Sequence, residues 1–395
     1  MPAVGAAGGA AGGAAAGVAA GPLAGLRVLE LGAPGPTPWA AMVLAGMGAA
    51  VLRVDRPDAA RRPFPGQSVL TRDRTRVALD LKDAGDRQRL LTLASYADVL
   101  LEGNRPGVAE RLGVGPADCA ARNPRLVYGR MTGWGQEGPL AGMAGHDLNY
   151  LAATGALTAT VGPGALPPYP LAAALTFGGG AAFLVIGVLA ALRERDSSGR
   201  GQVVDASVAD GLSLLLASAY GLLAEQGDPN PSYGAMPHYG TYPCADGLLL
   251  AIAPFERSSW ANFTAVTGLG GPDGDLRSAI AERLASRTRA DWLERFDGVD
   301  AGVSPVLDLA EVPGAPHMTA RGGFVPVGGE PQPAPAPRFS RTANPLPAWA
   351  AAPGGAWTPE VLRAAGIARS AAGGPGSAPP DAETAGIRVD QEATA

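Results

Sequence analysis

The chain carries only three histidines, His146, His238 and His317. His146 lies in Met143-Ala144-Gly145-His146-Asp147-Leu148-Asn149-Tyr150, on a loop that leads into an apolar segment. An imidazole titrating near neutrality in such a place suits general-base work; a helix-capping or hydrogen-bonded core histidine is the plainer reading. His238 and His317 each follow a proline in loop-like sequence and read as structural. Among the acids, Glu256 in Ala253-Pro254-Phe255-Glu256-Arg257 follows an apolar strand and precedes a helix. It is either a cleft carboxylate or a helix N-terminal one favoured by the dipole. Asp205 reads as a helix cap.

Two further features bear on ligand chemistry. Gly178-Gly179-Gly180 opens a long apolar helix, offering bare N–H groups to an anion or a thioester oxygen, or close packing to a neighbouring helix. Arginines gather at strand ends and loops: Arg53 and Arg56, then Arg72, Arg74 and Arg76, then Arg105 after Glu102-Gly103-Asn104. Ligands of open α/β sheets collect at the carboxyl ends of strands, and arginine there suits phosphates. Taken together these arginines point to a polyphosphate ligand, although each singly is an ordinary surface charge. No histidine pair at zinc-protease spacing and no G-x-S-x-G elbow occurs, so neither a metal nor a serine hydrolase is indicated.

The elements that must carry these groups alternate. Leu26–Leu31 reads as a strand, Gly32–Pro38 as a turn cluster, Trp39–Met47 as a helix and Ala50–Val54 as a second strand. Gln88–Tyr96 reads as a helix, with Asp98–Glu102 and Leu126–Met131 as further strands. Repeated strand–helix–strand units imply a parallel, doubly wound, Rossmann-like sheet. The first strand is not followed by G-x-G-x-x-G, so no dinucleotide cofactor is expected. Helices are expected near 179–195 and 206–225, and a smaller α/β unit begins near Leu248, with helices near 258–267, 275–286 and 289–296 and a strand at Val303–Val306. The expected division is a disordered Ala/Gly-rich extension over 1–21, a large domain over 22–225 and a small domain over 226–310. The chain then returns to the large domain over 311–365, including a helix at Thr358–Ala365, and ends in a disordered tail over 366–395.

Composition bounds the rest. With 395 residues, two domains are expected. A net charge of −5 argues against a nucleic-acid binder. Two cysteines exclude a disulfide framework and point to a reducing, cytoplasmic setting. The longest apolar run, Phe177–Leu192, falls short of the roughly 20 residues a bilayer needs and reads as a buried helix, so no membrane partner is expected. The N-terminus lacks the basic opening and apolar centre of a secretory signal.

Several ordered stretches resemble the family III CoA-transferases of CaiB/BaiF type. They are Pro22–Leu31, Val54-Asp55-Arg56-Pro57, Asn104-Arg105-Pro106-Gly107-Val108 and Met131-Thr132-Gly133-Trp134-Gly135-Gln136-Glu137-Gly138-Pro139. Ala144–Tyr150, Gly240–Gly247 and Pro337–Thr342 resemble the α-methylacyl-CoA racemase branch of that family. The resemblance runs from about residue 22 to 345. It implies a Rossmann-like large domain, a small domain and an interlocked homodimer, with the CoA moiety as part of the substrate and no separate cofactor. On matching positions it implies Arg56, and less directly Arg72 and Arg105, on the CoA phosphates. It also implies His146, oriented by Glu256, as the base on one face of the substrate α-carbon.

One position departs from the pattern. The family places an Asp directly before Phe-Gly-Gly-Gly, whereas this chain has Thr176. In racemases that Asp is the second acid/base, and in transferases it is the nucleophile. A threonine hydroxyl neither takes a thioester α-proton unaided nor forms the acyl anhydride. The expected activity is therefore racemase-like proton abstraction from a 2-methylacyl-CoA or related thioester, altered at the second catalytic position. A CoA-thioester-binding homologue that has lost catalysis is the alternative, with CoA transfer ranked last.

Overall fold

The computed structural model describes residues 21–58, 67–161, 168–227, 236–270, 275–348 and 362. The expected disordered ends, most of the 358–365 helix and most of the 228–237 boundary lie outside them.

Six strands form one parallel sheet: β1 (Arg27–Leu31), β2 (Ala50–Asp55), β3 (Arg74–Ala78), β4 (Val99–Glu102), β5 (Val127–Thr132) and β6 (Val203–Ser207). Their order is β3-β2-β1-β4-β5-β6, the doubly wound Rossmann-like arrangement. Apolar residues such as Val28, Leu29, Leu52, Leu100 and Leu101 are fully or almost fully buried, as strands covered on both faces require. The chain reverses direction across the sheet between β1 and β4, which creates the crevice in which such sheets bind ligands.

Two strands differ from expectation. Arg72, Arg74 and Arg76 read only as arginines following a loop, with no strand expected there, yet Arg74–Ala78 is strand β3. Its arginines suppress any apolar signal, and they are tolerated because carboxylates on neighbouring strands neutralise them. Asp205 read as a cap, yet it lies inside β6, and Ser207 does the capping: its hydroxyl accepts from the Asp210 N–H at 3.0 Å. The expected 206–225 helix is split by Leu216 into Val208–Leu215 and Ala217–Gln226.

The helical run over Pro170–Ser198 is 29 residues long, well beyond the apolar stretch read from the sequence. By length and composition it could cross a bilayer. Its C-terminal part, Ala182–Ser198, packs on β5, β6 and the Pro36–Gly46 helix, which accounts for its apolarity as a core helix.

The remaining strands are β7 (Gly240–Pro243), β8 (Leu249–Ile252) and β9 (Val303–Pro305), which form an antiparallel sheet, and the pair β10 (Phe324–Val327) and β11 (Glu330–Pro333). The chain divides into two compact units. One is Met1–Thr154, Pro167–Leu214 and Val325–Ala395; the other is Gly155–Leu166 and Leu215–Phe324. The second unit packs the β7–β8–β9 sheet with helices Arg257–Thr267, Leu276–Ala285 and Arg289–Arg295 around Phe263, Trp292, Ile280 and Leu284.

Candidate active site

The first unit assembles its polar residues at the carboxyl ends of the parallel strands. After β1 the chain turns at Gly35, whose φ of 81° is the left-handed region glycine tolerates, and Pro36 opens the Pro36–Gly46 helix. Thr37, in that first turn, faces Gly103 at the end of β4. A Cβ on Gly103 would lie 2.4 Å from the Thr37 hydroxyl, so only glycine allows this approach.

Charge is layered beneath this end of the sheet. Arg76, Arg53 and Glu30 are in register across β3, β2 and β1, while Glu102, Arg130 and Asp205 are in register across β4, β5 and β6. Glu30 pairs in register with Leu101, one residue before Glu102, so the two rows lie on opposite faces. Glu30 binds the guanidiniums of both Arg53 and Arg74, the latter at 3.1 Å. Asp55 accepts from Arg53 at 2.8 Å and from Arg76 at 2.8 Å. On the other face Glu102, whose carboxyl is pushed up by burial, pairs with Arg130 at 3.1 Å. Such pairs must be nearly complete, because a buried charge without its partner is costly.

The arginines therefore separate into two groups. Arg53 and Arg74 are buried in the ion-pair layer rather than presented to a ligand. Arg72 is buried too; its terminal nitrogens donate to the Gln332 side chain at 3.0 Å and the Pro333 carbonyl at 2.9 Å, which ties β11 to the sheet. Arg56 and Arg105 are exposed, after β2 and β4 respectively.

His146 occupies the N-cap of the Asp147–Ala153 helix, but its imidazole does not cap it. The cap is closed by Asn149 instead. Its side-chain oxygen accepts from the His146 N–H at 3.0 Å, and its own N–H donates to the His146 carbonyl at 2.8 Å. The exposed imidazole has no hydrogen-bond partner among the described residues. The loop before it is held by aromatics that the sequence reading did not single out. Tyr150 packs edge-on against Trp134 with ring centroids 4.8 Å apart. A Cβ on Gly133 or Gly145 would come within 2.2 Å or 2.7 Å of the Tyr150 ring. Paired glycines flanking aromatics were the available signal. The Trp134 indole nitrogen is buried without a partner.

The His146 helix packs on the Tyr169–Thr176 helix. Thr176 ends that helix, and Phe177–Ala181 continues it as one π-helical turn, a distortion that recurs at functional sites. Phe177 stacks on Trp39 of the Pro36–Gly46 helix at 6.2 Å. Gly179 and Gly180 serve close packing: added Cβ atoms would meet Leu212 at 2.9 Å and Met131 at 2.8 Å. Thr176 is 2% exposed and its hydroxyl has no partner among the described residues. A buried polar group left unpaired costs about 1–3 kcal/mol.

In the second unit Glu256 is exposed at the N-cap of the Arg257–Thr267 helix, where its carboxylate accepts from the Ser259 hydroxyl at 3.4 Å. His238 lies beside Trp260, ring centroids 5.5 Å apart, and His317 is exposed. Among the described residues no three His, Cys, Asp or Glu side chains converge into a metal-ligand set.

Residues 23–358 match the model of CoA-transferase family III. The chain belongs to this family. Within it, the chain is 37% identical over 362 residues to alpha-methylacyl-CoA racemase of Mus musculus, covering 87% of this chain and 93% of the mouse protein. It is 28% identical over 333 residues to acetyl-CoA:oxalate CoA-transferase of Acetobacter aceti, covering 77% of this chain and 86% of that protein. Among solved structures, a CaiB/BaiF family protein from Brucella suis superposes with a TM-score of 0.73 at 26% identity, covering 82% of this chain and 94% of that one. Family III membership places this chain among proteins acting on acyl-CoA thioesters, with the Rossmann-like sheet as the larger of its units.

Proposed function

We propose that the chain is a racemase-like enzyme that abstracts the α-proton of a 2-methylacyl-CoA or a related acyl thioester. What carries the reading is His146. Its imidazole is exposed and unpartnered, on a backbone locked by Asn149, beside the helix that ends at Thr176. The kinship with alpha-methylacyl-CoA racemases supports it.

In the proposed step an imidazole nitrogen of His146 takes the α-proton. The C–H electron pair moves into the bond to the carbonyl carbon, and the carbonyl oxygen becomes the enolate oxygen. Return of the proton from the same imidazole restores the thioester. Racemisation needs a second acid/base on the opposite face, and Thr176 does not supply one, so exchange outruns inversion. Arg56 and Arg105 are the proposed contacts for the CoA phosphates, while Arg72 is a framework residue held by Gln332 and Pro333. Glu256 is the carboxylate that the family pattern assigns to His146, and the assembly is a homodimer. The Ala217–Gln226 helix supports that assembly: it has no buried residue although it carries Leu223 and Tyr220.

The test is incubation of the purified protein with a 2-methylacyl-CoA of one configuration in D₂O. Deuterium is expected at the α-carbon, and His146→Ala should lower its uptake by about 10²–10⁴-fold. Thr176→Asp is expected to raise racemisation relative to exchange. The unpartnered threonine favours one second reading, a thioester-binding protein without turnover; tight binding with no exchange at any pH would establish that reading instead. Transfer of the acyl group's CoA to an added carboxylate would establish a transferase.

A further inference from the structure

Many helical hydroxyls in this chain bond a carbonyl of the preceding turn, Ser95 and Thr264 the one three residues back; Thr176, like Thr37 in the first turn of the Pro36–Gly46 helix, does not. Thr92, Thr160, Thr267 and Ser213 each donate to the carbonyl four residues earlier, at 2.7–2.9 Å. That back-bonding is the ordinary way a helix satisfies a hydroxyl. Thr176 has helical dihedrals, with the Ala172 carbonyl four residues before it, yet its hydroxyl bonds nothing among the described residues. It is also almost wholly buried. Thr176 stands at the end of the helix on which the His146 helix packs, where the π-helical turn begins, one residue before the Phe177 ring that stacks on Trp39.

We propose that the Thr176 hydroxyl is a hydrogen-bond donor to the carbonyl oxygen of the bound thioester, and to the enolate oxygen that forms from it. The inference rests on the enolising role of His146. Thr176 keeps its proton throughout. The α-proton moves to and from the imidazole, and the negative charge gathering on oxygen accepts the Thr176 O–H. A neutral donor aimed at a developing oxyanion lowers the barrier without being a base. The position that carries the family's acid/base thus becomes an electrostatic one, and the substrate must be an ester with a free carbonyl oxygen.

The experiment compares wild type, Thr176→Val and Thr176→Ser by two readouts. The first is α-proton exchange of a 2-methylacyl-CoA in D₂O. Thr176→Val, which keeps the shape and removes the donor, should lower the exchange rate by about 10²–10³-fold. The pH dependence of exchange should stay in place, and Thr176→Ser should restore most of the rate. The second is binding of the same thioester against the S-alkyl-CoA thioether in which CH₂ replaces the carbonyl. Thr176→Val should weaken the thioester about 3–10-fold and leave the thioether unchanged. Wild-type exchange in the valine variant, or equal weakening of both ligands, would overturn the donor role. Selective weakening of the thioester in a protein that exchanges no proton would uphold the donor and overturn the enolising reading, so the two failures are separable.

Discussion

The Tyr150 hydroxyl donates to the Gly145 carbonyl at 2.5 Å, which anchors the residue immediately before His146. Burial, with the Asp147 charge nearby, pushes the phenol's pKa up, so it remains a donor across the working pH range. Tyr150→Phe keeps the ring against Trp134 and removes only this bond. Stability should fall by about 0.5–1.5 kcal/mol in urea unfolding. Proton exchange should fall by about 3–10-fold, expressed in kcat more than in KM, because the imidazole loses orientation and not contact with CoA.

Gly133 and Tyr150 form a tighter constraint. A Cβ at 133 would sit 2.2 Å from two ring carbons and the hydroxyl oxygen of Tyr150, so Gly133→Ala must displace Tyr150 or the end of β5. The expected cost is about 1–3 kcal/mol, with a loss of exchange larger than that of Tyr150→Phe. Thermal unfolding and the deuterium assay on the same preparation check both.

Glu30 is the keystone of the charge layer. It is completely buried and serves two arginines, Arg53 and Arg74. Glu30→Gln leaves Arg74 without its ion-pair partner and Arg53 with Asp55 alone, and should destabilise the protein by about 3–5 kcal/mol, measured by urea unfolding. Arg76→Ala, by contrast, removes a half-exposed partner of Asp55 and should cost below about 1 kcal/mol.

Cys119 is fully buried in the sheet core, and burial pushes its thiol from 9.0 up to about 12. In the native protein it should resist alkylation at pH 8 and react fully in guanidinium. The folded thiol holds its proton more tightly than the unfolded one. Its contribution to stability is therefore intact below pH 9 and declines as pH rises from about 9 towards about 12. Denaturant midpoints of wild type and Cys119→Ser should converge over that range.

Much of this molecule was legible before any coordinates. Strands β1, β2, β4 and β5 stand out because short runs dominated by apolar and β-branched residues need no long-range information. The motif around His146 and the missing acid at 176 are likewise local facts. β3 was not legible, because Arg74-Thr75-Arg76 looks like a solvated loop until Glu30 and Asp55 are placed beside it.

The chain's own order of residues determined the family and the doubly wound sheet, and it picks out His146 and Thr176 as the residues of the proposed chemistry, since each is written in contiguous motifs. Tertiary structure alone decided which arginines are exposed, why Gly179 and Gly180 have no side chain, and that the Thr176 hydroxyl lacks a partner among the described residues. The reason is physical: charge neutralisation, steric contact and hydrogen-bond satisfaction depend on neighbours tens or hundreds of residues away. Arg74 meets Glu30 across 44 positions and Arg72 meets Gln332 across 260, distances over which no local spacing carries a signal.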